Sequence, residues 1–193
     1  MLRTPFGCLL IALTSGSLCV PGEVGAQPRE VFIIRHAEKP LDENDVHLNQ
    51  AGRNRAEAIP KLFQKSDTRP DPLPKPDFLF AAKNSKHSHR TVETIAPLAK
   101  KLKMDIDTRF DSEDFAILAK EVLTNPRYAN KTIFISWRHG HIPDLARALK
   151  ATDAPDNWKD RVFDQIWTIT YGAGGKAMFA KHQQALMPGD GKE

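Results

Sequence analysis

Cysteine is almost missing from this chain: its 193 residues hold two, Cys8 and Cys19, both within the first 26. The remainder can therefore form no disulfide, no cysteine nucleophile and no thiolate metal site, and its stability has to come from packing. Long apolar runs are missing too. The longest candidate, residues 6–20, is interrupted by Ser, Thr and Gly and is shorter than the ~20 residues a membrane-spanning helix needs. There is no block of Lys or Arg. The net charge of +4 is spread along the chain, which argues against nucleic acid as a partner and suits, weakly, a small anionic one. No internal repeat is present, and a chain of this length fits about one domain with a sizeable core.

The first 26 residues read as a secretory signal peptide. Met1-Leu2-Arg3 is a short basic start, the apolar stretch follows, and Val24-Gly25-Ala26 is a small-residue cleavage pattern. Leu18 before Cys19, where a small residue would be wanted, argues against lipoprotein processing. The expected organisation is a signal peptide over 1–26 and one domain over 27–193, exported to the periplasm or secreted, with no stable membrane insertion after cleavage. Arg3 and Glu23 leave together, so the mature charge stays at +4.

From Arg29 onward strand-like and helix-like pieces alternate, the pattern of an α/β layer fold. Strands are expected over 30–34, 77–82, 104–107 and 131–136, with a C-terminal hairpin of 165–171 and 176–182 joined by Gly172-Ala173-Gly174-Gly175. Helices are expected over 50–64, where Pro60 disturbs the pattern, over 91–103, kinked at Pro97, and over 112–124, capped by Asp111 or Ser112. A short helix carrying Ile142, Leu145, Ala146 and Leu149 should begin just after His139. Prolines 70, 72, 74 and 76 make residues 66–76 a stiff extended connector.

Three apolar runs end in groups suited to a phosphoryl anion. Val31-Phe32-Ile33-Ile34 stops at Arg35-His36, Phe78-Leu79-Phe80-Ala81-Ala82 leads to Arg90, and Thr132-Ile133-Phe134-Ile135-Ser136 leads to Arg138-His139. Functional groups of α/β sheets gather outside the carboxyl ends of their strands. If these strands are neighbours, two guanidinium groups and two imidazoles share one pocket. Arginine forks match phosphoryl oxygens, and an imidazole between cations resists protonation and stays nucleophilic. His87 with His89, or His139 with His141, form His-x-His pairs that could hold zinc. No acid sits at a fitting spacing, and His139 already has a role, so no metal and no cofactor is expected. Trp137 could narrow the entrance, stack on a substrate or pack in the core.

These residues resemble the histidine phosphatase superfamily, which includes the phosphoglycerate mutases. Arg35-His36-Ala37-Glu38 resembles its first-strand signature, and Leu48-Asn49-Gln50-Ala51-Gly52-Arg53-Asn54-Arg55-Ala56 its helix entry. Ser88-His89-Arg90-Thr91-Val92-Glu93-Thr94 resembles the segment of the second phosphate-binding arginine, and Ile135-Ser136-Trp137-Arg138-His139-Gly140 the strand ending in the second histidine. The resemblance covers most of residues 30–150. It implies a three-layer α/β sandwich around a central, mostly parallel sheet of the phosphoglycerate mutase type. It also implies a metal-independent phosphatase, hydrolysing phosphomonoesters through a phosphohistidine on His36, with Arg35, Arg90 and His139 binding the phosphoryl oxygens. Among Asp111, Glu113 and Asp114, with Glu38 also near the nucleophile in sequence, Glu113 is favoured as the proton donor. The substrate would be a small phosphorylated anion. Two other readings stand: a phosphate- or phosphosugar-binding module of the same fold without turnover, and a mutase. The mutase is disfavoured because Ala37 stands where the resembling mutases have glycine and their long insertions are missing. Nothing in the sequence sets the oligomeric state.

Overall fold

The computed structural model describes residues 27–42 and 44–191; the expected signal peptide lies outside them. Among these residues no helix is long and apolar enough to cross a membrane.

The elements in chain order are β1 (Glu30–Arg35), α1 (Gln50–Ala58), β2 (Phe78–Ala81), α2 (Arg90–Leu102), β3 (Ile106–Asp107), α3 (Phe115–Thr124), β4 (Thr132–Trp137), α4 (Ile142–Ala148), β5 (Gln165–Tyr171) and β6 (Ala177–Gln183). They build one sheet in the order β3-β2-β4-β1-β5-β6. Its first four strands run parallel, and β5 and β6 extend it antiparallel. The three strands that carry the candidate site are thus neighbours, β2-β4-β1, as the sequence reading required.

The sheet is covered on both sides because its strands are apolar on both faces. Side chains alternate across a strand, so Val31 and Ile33 of β1 join Phe80, Ile133, Ile135 and Trp167 with α3 and α4 residues Leu118, Val122 and Leu145. Phe32 and Ile34 join Leu79, Phe134 and Ile166 with Ile59, Ile95 and Leu98 on the opposite face. Two helical layers enclose one sheet, the expected three-layer sandwich.

Several boundaries differ from expectation, each for a local reason. The helix expected over 50–64 ends at Ala58 and tightens into a 3₁₀ segment, Ile59–Phe63. Pro60 lacks the N–H that an α-turn would use and sits at the start of that segment, where none is needed. Helix α2 runs continuously through Pro97 and closes on Lys103 in the left-handed conformation (φ 54°). Helix α3 starts three residues later than expected, at Phe115. Neither Asp111 nor Ser112 caps it: residues 111–114 form a separate turn in which the Asp111 amide donates to the Asp114 carboxylate at 3.0 Å.

Candidate active site

The peptide after β1 is held from two sides. The His36 amide donates to the Trp137 carbonyl at 3.1 Å, extending the β1–β4 ladder by one step. The Ala37 amide donates to Thr94 Oγ1 on α2 at 2.8 Å, and that hydroxyl donates to the Arg90 carbonyl at 2.6 Å. One buried threonine therefore links the segment carrying His36 to the residue carrying the second guanidinium.

Helix α1 approaches the same segment closely. Asn49 caps it, its side-chain oxygen accepting from the Gly52 amide at 2.8 Å, as Ser or Thr would at that position. A Cβ on Gly52 would lie 2.3 Å from the Glu38 carbonyl oxygen, so only glycine allows this approach. The spacing Leu48-Asn49-x-x-Gly52 thus serves to dock the helix start against the loop that follows His36.

His36 is 5% exposed, and its Nδ1 lies 2.7 Å from the Ala37 carbonyl oxygen. A carbonyl can only accept, so Nδ1 carries the proton and Nε2 keeps its lone pair. Burial pushes the pKa of His36 down to about 3. The bond to Ala37 opposes this, and the charges of Arg35, Arg90 and His139 reinforce it. All three expected partners therefore act electrostatically on this imidazole. The His139 ring lies 6.3 Å from it between centroids and nearly perpendicular.

Arg35 is 1% exposed. Its Nη1 donates to the carbonyls of Lys159, Asp160 and Val162, and its guanidinium carbon sits 4.1 Å above the Phe163 ring. Burial lowers its pKa to about 10. At the first position of α2, Arg90 donates from Nη1 to the Asp45 carbonyl at 2.6 Å, and its pKa is lowered by burial and by Arg138. His139 opens the turn before α4, with Nε2 3.0 Å from the Asp160 carboxylate; burial and then Arg35 lower its pKa. The Nε atoms of Arg35 and Arg90 and Nδ1 of His139 are buried with no hydrogen-bond partner among the described residues. Buried polar atoms are normally paired, so the two guanidinium Nε donors are open to an acceptor such as an anion's oxygen.

Glu113 is exposed and lines a pocket of about 150 Å³ with Lys83, His87, Ser88 and Arg138, a lining that includes none of Arg35, His36, Arg90 and His139. Its carboxylate is 3.7 Å from Arg138 and 3.7 Å from His141. A hydrogen bond from Ser112, first of all, holds its pKa below the usual carboxylate value. Trp137 has no part in the entrance: it is fully buried in the core, and its indole N–H donates to the Ser112 carbonyl at 3.1 Å. His141 stacks on Phe115, and among the described residues the group of three converging ligands holds neither His-x-His pair: it takes His89 without His87.

Sequence reasoning missed the third wall of the site, residues 159–163 between α4 and β5. This stretch holds Arg35 by its carbonyls, places Asp160 on His139 and sets Phe163 6.2 Å from the His36 ring. Carbonyl acceptors leave no trace in side-chain composition, and only Phe163, an aromatic in a polar stretch, offered a signal.

No family model and no curated protein matches the chain. Solved structures do. A phosphoserine phosphatase from Entamoeba histolytica, in complex with phosphoserine, superposes with a TM-score of 0.53 at 11% identity, over 83% of this chain and 98% of that one. The protein histidine phosphatase SixA complexed with tungstate gives 0.52 at 14%, over 80% and 97%. A phosphoglycerate mutase from Bacillus anthracis gives 0.53 at 11%, over 83% and 95%. At these identities the likeness establishes the fold: the chain has the phosphoglycerate mutase-like α/β architecture.

Proposed function

We propose that the protein is a metal-independent phosphatase that hydrolyses phosphomonoesters through a phosphohistidine formed on His36. One observation carries this reading: a buried imidazole with Nδ1 tied to a backbone carbonyl, Nε2 free, and two arginines and a second histidine acting on it. The solved structures that share the fold, two of them phosphatases and one a mutase, support it.

In the first step Nε2 of His36 attacks phosphorus as the ester P–O bond breaks, and the phosphoryl group passes to nitrogen. Arg35, Arg90 and His139 bind its equatorial oxygens and stabilise the charge that develops there, the role an ion plays in metal-dependent enzymes. Water then attacks phosphorus, the P–N bond breaks, and inorganic phosphate leaves with His36 restored. Splitting one displacement into two lowers each barrier. Glu113 is the group assigned to protonate the leaving oxygen. Because its carboxyl is held mostly ionised, the site suits substrates whose leaving group needs little protonation. The signal peptide read over residues 1–26 makes this an exported enzyme acting on small phosphorylated anions.

The test is phosphate release from p-nitrophenyl phosphate with EDTA present, wild type against His36→Ala. Turnover that persists in EDTA and vanishes in the variant is expected. Equal turnover in both proteins would remove His36 from the chemistry. A folded wild type that binds phosphate without turnover would make the chain a binding module.

A further inference from the structure

A second cluster of ligating groups lies where the loop before α1 meets the start of α2: His47 on the loop, His89 at the helix N-cap and Glu93 in the first turn. His47, His89 and Glu93 each present one ligand atom, and the three atoms lie within 4.8 Å of one another. His47 Nδ1 pairs with Glu93 Oε1, and the His47 and His89 rings meet edge-on at 5.1 Å. Such a cluster could be a plain hydrogen-bonded patch, but three features point further. The donor set, two imidazoles and one carboxylate, is one that Zn²⁺ takes with water in the remaining position. The carboxylate is already oriented from behind: Glu93 Oε2 accepts the Leu48 amide at 2.9 Å, as supporting bonds behind metal ligands do. His47 and Glu93 also line a groove of about 490 Å³ between α1 and α2, which gives an ion a way in.

We propose that His47, His89 and Glu93 bind a divalent transition-metal ion, Zn²⁺ first among them, that clamps the 45–48 loop to the start of α2. Ligand atoms around Zn²⁺ sit roughly 3.3 Å apart for bonds of about 2.0–2.2 Å, so closing the site needs side-chain shifts of about 1.5 Å at most. The His47 side chain is 56% exposed and Glu93 31%, which leaves room for those shifts. The loop is already stitched to α2 at two more points, Arg90 Nη1 to the Asp45 carbonyl and the His89 amide to the Val46 carbonyl at 2.9 Å. An ion would add a further link and stiffen the segment that orients Arg90. The site is separate from the phosphoryl chemistry, so EDTA should lower thermal stability while turnover through His36 continues.

The experiment is calorimetric titration of the EDTA-stripped, dialysed protein with ZnCl₂, alongside Co²⁺ absorption spectra and Tm with and without Zn²⁺. Wild type should take up one ion, show Co²⁺ d–d bands and gain Tm. His47→Ala, His89→Ala and Glu93→Gln should each weaken binding by at least about 10–100-fold, the loss already seen when only supporting bonds are removed. Glu93→Gln keeps an acceptor for the Leu48 amide, so its loss of binding is not a loss of fold. His36→Ala and His182→Ala should bind as wild type, whether or not the chain is a phosphatase. No saturable uptake, uptake that survives all three variants, or uptake that is lost with His36 instead would each overturn the proposal.

Discussion

Two buried arginines flank the segment after β1, and they are completed in opposite ways. Arg55 on α1 is 4% exposed and forks onto Glu38 at 2.8–3.1 Å and onto Asp190 at 2.9–3.0 Å, with a further bond to Gln184. Burial works against its charge, but the bonds to Asp190 and Glu38 outweigh it and raise its pKa. Arg35 is equally buried, yet its partners are neutral carbonyls, its Nε has none, and burial lowers its pKa. Arg90 is lowered too, by burial and by another arginine. The first guanidinium is neutralised inside the chain and fastens the C-terminal tail to the loop after His36. The other two await an anion from outside. A buried cation held only by neutral carbonyls costs stability, so retaining Arg35 in that state, with the half-buried Arg90, beside a neutral imidazole is a sign of function rather than of folding.

That contrast can be broken by mutation, beginning with the largest effect. His36→Ala should cut kcat for phosphate release by on the order of 10⁴–10⁶-fold, the range for losing a nucleophile. Its circular dichroism spectrum should stay that of wild type; a variant that keeps most of its activity would dissolve the distinction. Arg55→Ala should act on stability, lowering the free energy of unfolding by about 3–5 kcal/mol because Glu38 and Asp190 are left without their partner. Urea denaturation measures this, and a change under 1 kcal/mol would mean that the tail is not fastened there. Arg90→Ala should do the reverse, losing roughly 10²–10³-fold in kcat/KM, as for a donor to a developing oxyanion, with Tm little changed. A large fall in Tm there would make Arg90 a structural residue like Arg55.

The smallest effect is in the pH dependence of stability. His36 titrates near 6.5 when unfolded and near 3 when folded. Between those values the unfolded chain binds a proton that the folded one does not, so stability falls as pH falls from 6.5 toward 3 and is unaffected above 6.5. The slope from this one residue is at most about 1.4 kcal/mol per pH unit. Unfolding of wild type and His36→Ala at pH 7, 5.5 and 4.5 isolates it, and parallel curves would mean that His36 is not held neutral by the fold.

How much of this was legible in the sequence follows from the range over which each feature is encoded. The strands could be read because their apolar runs are local, and β5, Gln165–Tyr171, falls where the pattern put it. The helix ends were less legible. Residues 111–114 turn separately where Ser112 meets Trp137 and Arg138: the indole N–H donates to its carbonyl and the guanidinium to its hydroxyl, contacts from a distant strand end. The neighbouring strands β2, β4 and β1 were a condition the sequence could state but not establish. Zinc ligands were sought at His-x-His spacing, whereas the converging set brings His89 to His47 from a different segment.

By itself, then, the sequence determined which residues could do chemistry and at which strand ends they stand. Arg35, His36, Arg90 and His139 follow or close their runs, and a run's apolar pattern depends on neighbours a few residues away. Only the tertiary structure decided which charges are balanced. Glu38 is two residues from His36 and invited a catalytic reading, but Arg55 and Asp190, 135 residues apart, claim it for the tail. Trp137, adjacent to Arg138-His139, went to the core, while Phe163 and the carbonyls of 159–162 arrived to build the wall. Charge balance is a sum over everything nearby in space, and the order of residues along a chain does not contain that sum.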